Sequence, residues 1–412
     1  MRAFERFLNY VSIWTTSDPY THTHPSTERQ FDLAHLLERE MKDLGMKNVL
    51  VDEKCYVYGC LDATPGLESV PALGLIAHMD TSPDASGKNV KPVLHKNYDG
   101  SPIVLPATGA VLDTEQFPCL KNLIGETVIT TDGTTLLGAD DKAGIAEILT
   151  VVEYLQTDGL PHGKICVAFT PDEEIGEGTD NFDLERFGAD IAYTLDGDDV
   201  GEFSYENFNG ASAVVTFKGF SIHPGSAKDL MINAQNLAHE FHRGLPEFDR
   251  PEYTEDKQGF FHLCSMSGSV AEATLTYIIR DHDRESFEHR KNLMHDLASS
   301  MNQEFGPDTV SVDIRDSYYN METLIRKNWA VVEMAHQAIE MAGFTPKDVP
   351  VRGGTDGARI TYMGLPCPNI GTGGYNWHGE SECISVEKMD QAVEIILCLT
   401  KLVAESPPQQ HL

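Results

Sequence analysis

Apolar and polar positions follow two rhythms along this chain. Between residues 71 and 196 short apolar runs recur, at Pro71 to Ala77, Lys164 to Thr170 and Ile191 to Leu195. Runs of that length, unbroken by polar side chains, predict strands buried on both faces. Between them Ile145, Ile148, Leu149, Val152 and Leu155 keep helical spacing. Upstream, Thr27 to Leu44 reads as a helix, with Leu33, Leu36, Leu37 and Met41 as its apolar stripe. Thr27 and Gln30 form its expected capping box and Gly45 its stop. Strands are expected near Asn48 to Val51 and Tyr56 to Leu61, and hairpins within the Gly-, Pro- and Asp-rich stretch Ser82 to Thr135. Strand and helix alternate through Asp196, which predicts an α/β domain with a mixed, mostly parallel sheet flanked by helices.

From Ala211 the rhythm changes. Ala211 to Phe217 reads as a strand, Asp229 to Arg243 as a helix, and Phe260 to Ser267 and Ala273 to Arg280 as two strands in quick succession. A helix at Arg284 to Phe305 and a strand at Thr309 to Arg315 follow. That β-α-β-β-α-β order predicts a ferredoxin-like unit, a domain in itself. Helices at Asn328 to Ala342 and Val386 to Ala404 resume the first pattern. The expected organisation is a catalytic domain of residues 1–208 and 321–412, with residues 209–320 inserted as a lid or dimerisation domain. Arg352-Gly353-Gly354-Thr355-Asp356-Gly357 falls in the resumed catalytic part, and Ser406 to Leu412 reads as a tail.

The strand ends carry the chemistry. After Lys164 to Thr170 come Pro171, Asp172, Glu173 and Glu174. Adjacent side chains diverge, so one carboxylate can hold a metal while its neighbour serves as a free base. Pro71 to Ala77 ends in His78-Met79-Asp80, where positions two apart share a side. His78 can then ligate an ion while Asp80 orients its imidazole. Asp140 opens the amphipathic helix, Asp196 ends the third strand, and the glycine-rich turn Gly371 to Gly374 leads to His378. Nitrogen and oxygen donors without thiolates suit zinc, manganese or cobalt in a hydrolytic site. Five ligands exceed what one catalytic ion takes from protein, and two ions sharing Asp140 would use them economically.

Composition narrows the partners. The formal net charge is −33, from 64 acidic and 31 basic residues. With no basic cluster, this argues against nucleic acid. No apolar stretch approaches bilayer length, which argues against a membrane span. Met1 to Leu8 mixes charges with apolar residues at helical spacing and predicts a core-facing helix, not a secretory signal. Eight scattered cysteines, none in a CxxC pair, predict reduced thiols and a cytoplasmic setting. His22, His24, His162, His262 and His282 lack ligand partners nearby and read as surface residues. Arg280 precedes Asp281, with which an ion pair is expected.

These motifs together resemble the peptidase T family, tripeptide aminopeptidases among the co-catalytic zinc exopeptidases. The resemblance rests on His78 to Asp84, Leu136 to Ile148, Ala168 to Gly176, Tyr193 to Gly197, Glu206 to Asn209, His223-Pro224-Gly225, Ser317 to Met321, Arg352 to Gly357 and Gly364 to His378. It implies two zinc ions per subunit, with cobalt or manganese as substitutes. His78, Asp140 and Asp196 would hold one, and Asp140, Glu174 and His378 the other. It implies Glu173 as general base, Asp80 as support for His78, and Arg352, His223 and Arg280 as substrate contacts. In dimeric relatives the histidine equivalent to His223 comes from the neighbouring subunit, which makes a homodimer an expectation here. The chain departs from the family at Asp198-Asp199, where glycine is usual.

The expected function is cleavage of the N-terminal residue from tripeptides, with a small peptide as substrate. A dipeptidase or an N-acyl amino acid amidohydrolase of the same architecture is the alternative. A non-catalytic metal-dependent binding protein is disfavoured because the base and all five ligands are present.

Overall fold

In the computed structural model, which describes residues 1–407, the buried apolar runs become the centre of an eight-stranded sheet. Its order is Lys47–Val51, Val57–Leu61, Ile165–Thr170, Leu73–His78, Ile191–Gly197, Asn369–Gly371, Glu202–Ser204 and Lys347–Asp348. The four central strands run parallel. Antiparallel pairings join the strands on either side of them, and the last two run parallel to each other. Every residue of Leu73–His78 and Ile165–Thr170 is buried, as a strand covered on both faces requires. Because the central strands are parallel, their C-terminal ends share one edge of the sheet. His78 lies opposite Thr170 there, and Asp196 sits near the end of the next strand. The helix Ala139–Thr157 packs on this sheet and is itself covered by Ala3–Val11 and Val386–Ala404. The expected helix at Met1 to Leu8 is therefore part of the core, with Ala3, Phe7, Tyr10 and Val11 buried.

The chain divides into two compact units. One comprises Met1–Tyr205, Thr323–Val349 and Thr355–Leu412, of which residues 408–412, and with them most of the expected tail, lie outside the described residues. The other comprises Glu206–Glu322 and Pro350–Gly354. Arg352 thus packs with the second unit, whereas its place in the sequence put it in the resumed first pattern.

The second unit is a four-stranded antiparallel sheet in the order Phe260–Gly268, Glu272–Asp281, Asn209–Lys218, Val310–Tyr318. Strict alternation buries Ala211, Ala213, Val215 and Phe217 from one strand and Ala273, Leu275, Tyr277 and Ile279 from its neighbour. Helices Ala234–Gly244 and Arg284–Phe305 add Leu237, Phe241, Phe287 and Met294 to the same core. The chain enters and leaves this unit side by side. Asn207 N–H donates to Asn320 Oδ1 at 3.2 Å, and Asn207 Oδ1 accepts from Met321 N at 2.9 Å. Asn209 Oδ1 accepts from Asn320 N at 3.0 Å.

Two helix starts fall well inside their expected bounds, and the one expected at Asp229 comes at Ala234 with Asn233 as its N-cap. The helix expected from Thr27 begins at Gln30, and its N-cap position makes no side-chain cap. Gln30 does reach Thr27 Oγ1 at 3.3 Å, but its shorter bond, 2.6 Å, runs to Asp172.

Candidate metal centre

Five side chains from five segments of the first unit converge. His78 Nε2 lies 2.8 Å from Asp140 Oδ1 and 3.6 Å from Asp196 Oδ1. His378 Nε2 lies 3.2 Å from Asp140 Oδ2 and 3.0 Å from Glu174 Oε2. Asp140 therefore spans the two histidines, one oxygen to each. Donor atoms of His78, Asp140 and Glu174 lie within 4.8 Å of one another, as do those of His78, Asp141 and Asp196. Among the described residues no lysine or arginine pairs with any of these carboxylates, and Glu174 Oε1 is buried without a hydrogen-bonding partner. An anionic pocket of nitrogen and oxygen donors with an orphaned oxygen and no protein cation fits divalent ions.

Surrounding groups fix these side chains. Asp80 is fully buried. It approaches His78 Nδ1 through its carbonyl oxygen at 3.1 Å and through Oδ1 at 3.4 Å. The same carboxylate accepts the backbone N–H groups of Glu173, at 3.0 Å, and of Glu174, at 3.2 Å. It thus joins the His78 strand to the glutamate turn, a second task that the spacing alone does not reveal. Asp141 accepts from the backbone of His78 at 3.1 Å and of Gly144 at 3.3 Å. Asp172 takes up a left-handed conformation, φ 57°. Its oxygens accept from Ser26 N at 2.6 Å, Ser26 Oγ at 2.5 Å and Gln30 Nε2 at 2.6 Å. His24 and Glu177 offer further donor atoms beside Asp172, but with its oxygens so occupied Asp172 acts as a brace for the turn.

The turn that delivers His378 is glycine-rich for a steric reason. A Cβ on Gly371 would stand 2.0 Å from the carbonyl oxygen of Asp199, so only glycine permits that approach. Thr372 N donates to Gly197 O at 3.2 Å and Gly373 N to Asp198 O at 2.8 Å. The indole of Trp377 donates to Asp198. The Asp198-Asp199 departure is thus built into the junction between the Asp196 strand and the His378 turn.

Electrostatics separate the two adjacent glutamates. Burial, followed by the charge of Asp196, pushes the Glu173 carboxyl well above its ordinary value, and its carboxylate enters no hydrogen bond among the described residues. Burial, then Asp140, raises Glu174 to about 8. Hydrogen bonds to Asp140 and then Glu174 raise His378 to about 11. A proton shared at this level between a carboxylate and an imidazole is one that a bound cation would displace.

The remaining candidates lie in the second unit. Arg352 stacks over Phe208 at 5.1 Å and Phe260 at 5.8 Å. It donates to the carbonyl of Asp256 and to Thr254 Oγ1, the latter at 3.2 Å. Arg280 does not pair with Asp281. It donates to the carbonyls of Ile279 at 2.9 Å and Ala211 at 3.3 Å and lies over Tyr318, while Asp281 binds Arg290 at 2.8 Å. Successive strand residues face opposite ways, which separates Arg280 from Asp281. His223 is exposed in a turn, its Nδ1 accepting from Gly225 N at 3.1 Å. Two histidines expected at the surface are buried: His162, whose Nδ1 lies 2.7 Å from Gly163 O, and His282, which packs on Phe208 at 4.3 Å. His24 is half-buried, stacked on Tyr56.

Comparison with known proteins agrees with this architecture. Residues 131–401 match the profile of peptidase family M20/M25/M40. The chain is 50% identical over 404 residues to peptidase T of Alkaliphilus oremlandii, covering 97% of this chain and 99% of that one. It is 50% identical over 400 residues to peptidase T of Geobacillus kaustophilus, covering 97% of both. Among solved structures, a tripeptidase from Staphylococcus aureus superposes with a TM-score of 0.78 at 25% identity, and an aminopeptidase from Bacillus cereus with 0.77 at 24%. Each match covers 98% of both chains. The chain is a peptidase of the M20/M25/M40 family and belongs to its peptidase T group.

Proposed function

We propose that this protein is a dinuclear zinc aminopeptidase that removes the N-terminal residue from tripeptides. The observation that carries the reading is Asp140, which presents one oxygen to His78 and the other to His378. His78, Asp140 and Asp196 would hold one ion, and Asp140, Glu174 and His378 the other, with cobalt or manganese able to replace zinc. Such ions, when bound, supply positive charge to the scissile carbonyl and to water. Glu173 takes the proton of the attacking water and passes it to the departing amine. Its position beside Glu174, with backbone held by Asp80, and its raised affinity for a proton suit both halves of that transfer. Arg352, Arg280 and His223 are proposed as substrate contacts. A peptide carboxylate is a stronger acceptor than the carbonyls that Arg352 now engages, and the role proposed for His223 is to stabilise the oxyanion. The tripeptide preference is supported by the relatives named above, and a cytoplasmic setting by the cysteine pattern.

The test combines metal analysis with a panel of di-, tri- and tetrapeptides bearing free or acetylated N-termini. The reading requires two ions per chain and cleavage confined to tripeptides with a free amine. Preference for dipeptides or acetylated substrates would replace it with a dipeptidase or an N-acyl amino acid amidohydrolase.

A further inference from the structure

Glu382 appears in no motif, yet it is the most heavily engaged carboxylate near the centre. It is 1% exposed and lies four positions after His378. Its Oε2 accepts the backbone N–H groups of Leu137 at 2.8 Å and Gly138 at 3.0 Å. Its Oε1 accepts those of Ala139 at 2.6 Å and Asp140 at 3.2 Å. These four donors belong to a stretch whose backbone departs from helix: Gly138 is left-handed, and Asp140 and Asp141 have non-helical angles. No helical carbonyl serves them, and one side chain serves all four. A carboxylate offers about four lone-pair sites, so Glu382 has none left for a metal.

The consequence concerns two ligands at once. The backbone of Asp140 is bonded to the segment that carries His378, and that segment is closed by Asn376 Nδ2 donating to Ser381 O at 3.2 Å. We propose that Glu382 is the positioning residue that makes Asp140 a shared ligand, by locking the Asp140 turn to the His378 loop. This rests on the two-ion reading above. His78 and Asp196 come from the sheet and need no such lock, so Glu382 governs chiefly the ion held by Asp140, Glu174 and His378. An amide at this position has one acceptor oxygen and turns an NH2 group toward two donors, so even Glu382→Gln breaks the lock.

The experiment is calorimetric titration of metal-stripped protein with zinc and with cobalt, followed by the magnetic coupling of the cobalt pair. Wild type, Glu382→Gln and Glu382→Asp are compared, and thermal unfolding of each stripped protein reports the fold. Groups that hold a ligand in place typically govern about 10–100-fold in metal affinity. The expected result is a loss of that size for the second ion in Glu382→Gln, with the first ion unchanged and the cobalt coupling abolished. Glu382→Asp, which keeps the charge, should recover part of both. Wild-type binding of both ions in the variants, or equal weakening of both, overturns the proposal. If the Gln protein does not fold, the Asp protein is judged by the same criterion. A wild-type protein that binds a single ion overturns the two-ion reading itself, and it does so without reference to the variants.

Discussion

At the scale of single residues, the two glutamates after Thr170 should separate cleanly under mutation. Glu173→Gln keeps the shape and the Asp80 contact to its backbone but removes the base. We expect kcat to fall about a hundred- to ten-thousand-fold with both ions retained, measured as metal content beside turnover. Near-normal turnover would remove Glu173 from the mechanism. A second carboxyl matters for stability. Glu147 lies in the core of the Ala139–Thr157 helix, fully buried, and neither oxygen has a partner among the described residues. Burial, with Asp390 a further cause, pushes its carboxyl well above the ordinary value. The folded state therefore favours the proton, and the corresponding stability is complete below the ordinary carboxyl range. It is lost as pH rises through the raised value, at up to about 1.4 kcal/mol per pH unit. Glu147→Met should raise Tm over wild type more at pH 8 than at pH 5, and an equal gain at both would assign the effect to packing. The converging side chains were legible by position: His78, Glu174 and Asp196 lie at the ends of apolar runs, Asp140 opens an amphipathic helix, and His378 follows a glycine-rich turn. Glu382 and Glu147 were not, because an isolated glutamate carries no mark of what it meets across the fold.

At the scale of elements, both rhythms of the sequence became the sheets they predicted. Continuous burial gave parallel strands, and alternation gave the β-α-β-β-α-β order. Misreadings arose where a side chain answered to a distant partner. Thr27 and Gln30 look like a local cap, but Gln30 holds Asp172, 142 residues away. Arg280 and Asp281 look like a pair, but the pleat turns them apart. The Gln30 contact has a measurable role, since it steadies the turn that presents Glu173 and Glu174. Gln30→Ala leaves a buried carboxylate short of one donor, and hydrogen bonds to charged groups contribute about 1.5–3 kcal/mol. Chemical denaturation should show a loss of that order, together with a lower kcat/KM. Unchanged activity alongside the stability loss would confine Gln30 to folding.

At the scale of the whole molecule, the sequence predicts an insertion at residues 209–320, and the chain's second compact unit spans Glu206–Glu322 together with the short return Pro350–Gly354. Apolar periodicity marks where an element lies, not which unit an isolated loop joins. Whether His223 acts within its own chain is a question for mixed populations. Combining the inactive His223→Ala and Glu173→Gln proteins should restore part of the activity if the histidine serves a neighbouring subunit. No recovery after verified exchange would place its action within one chain.

The asparagines that bind entry to exit in the second unit also bear on the order in which the protein folds. The first unit's chain is interrupted by the whole insertion, and closing a disordered loop of roughly a hundred residues costs about 4 kcal/mol. A folded insertion whose two ends are bonded through Asn207, Asn209 and Asn320 removes most of that loop, so the first unit experiences a chain break hardly wider than a turn. A short glycine linker from Asn207 to Met321 should then replace the insertion. The truncated chain should unfold cooperatively and still bind metal, read by denaturation and metal content. Failure to fold would show that the insertion does more for the first unit than bring its ends together.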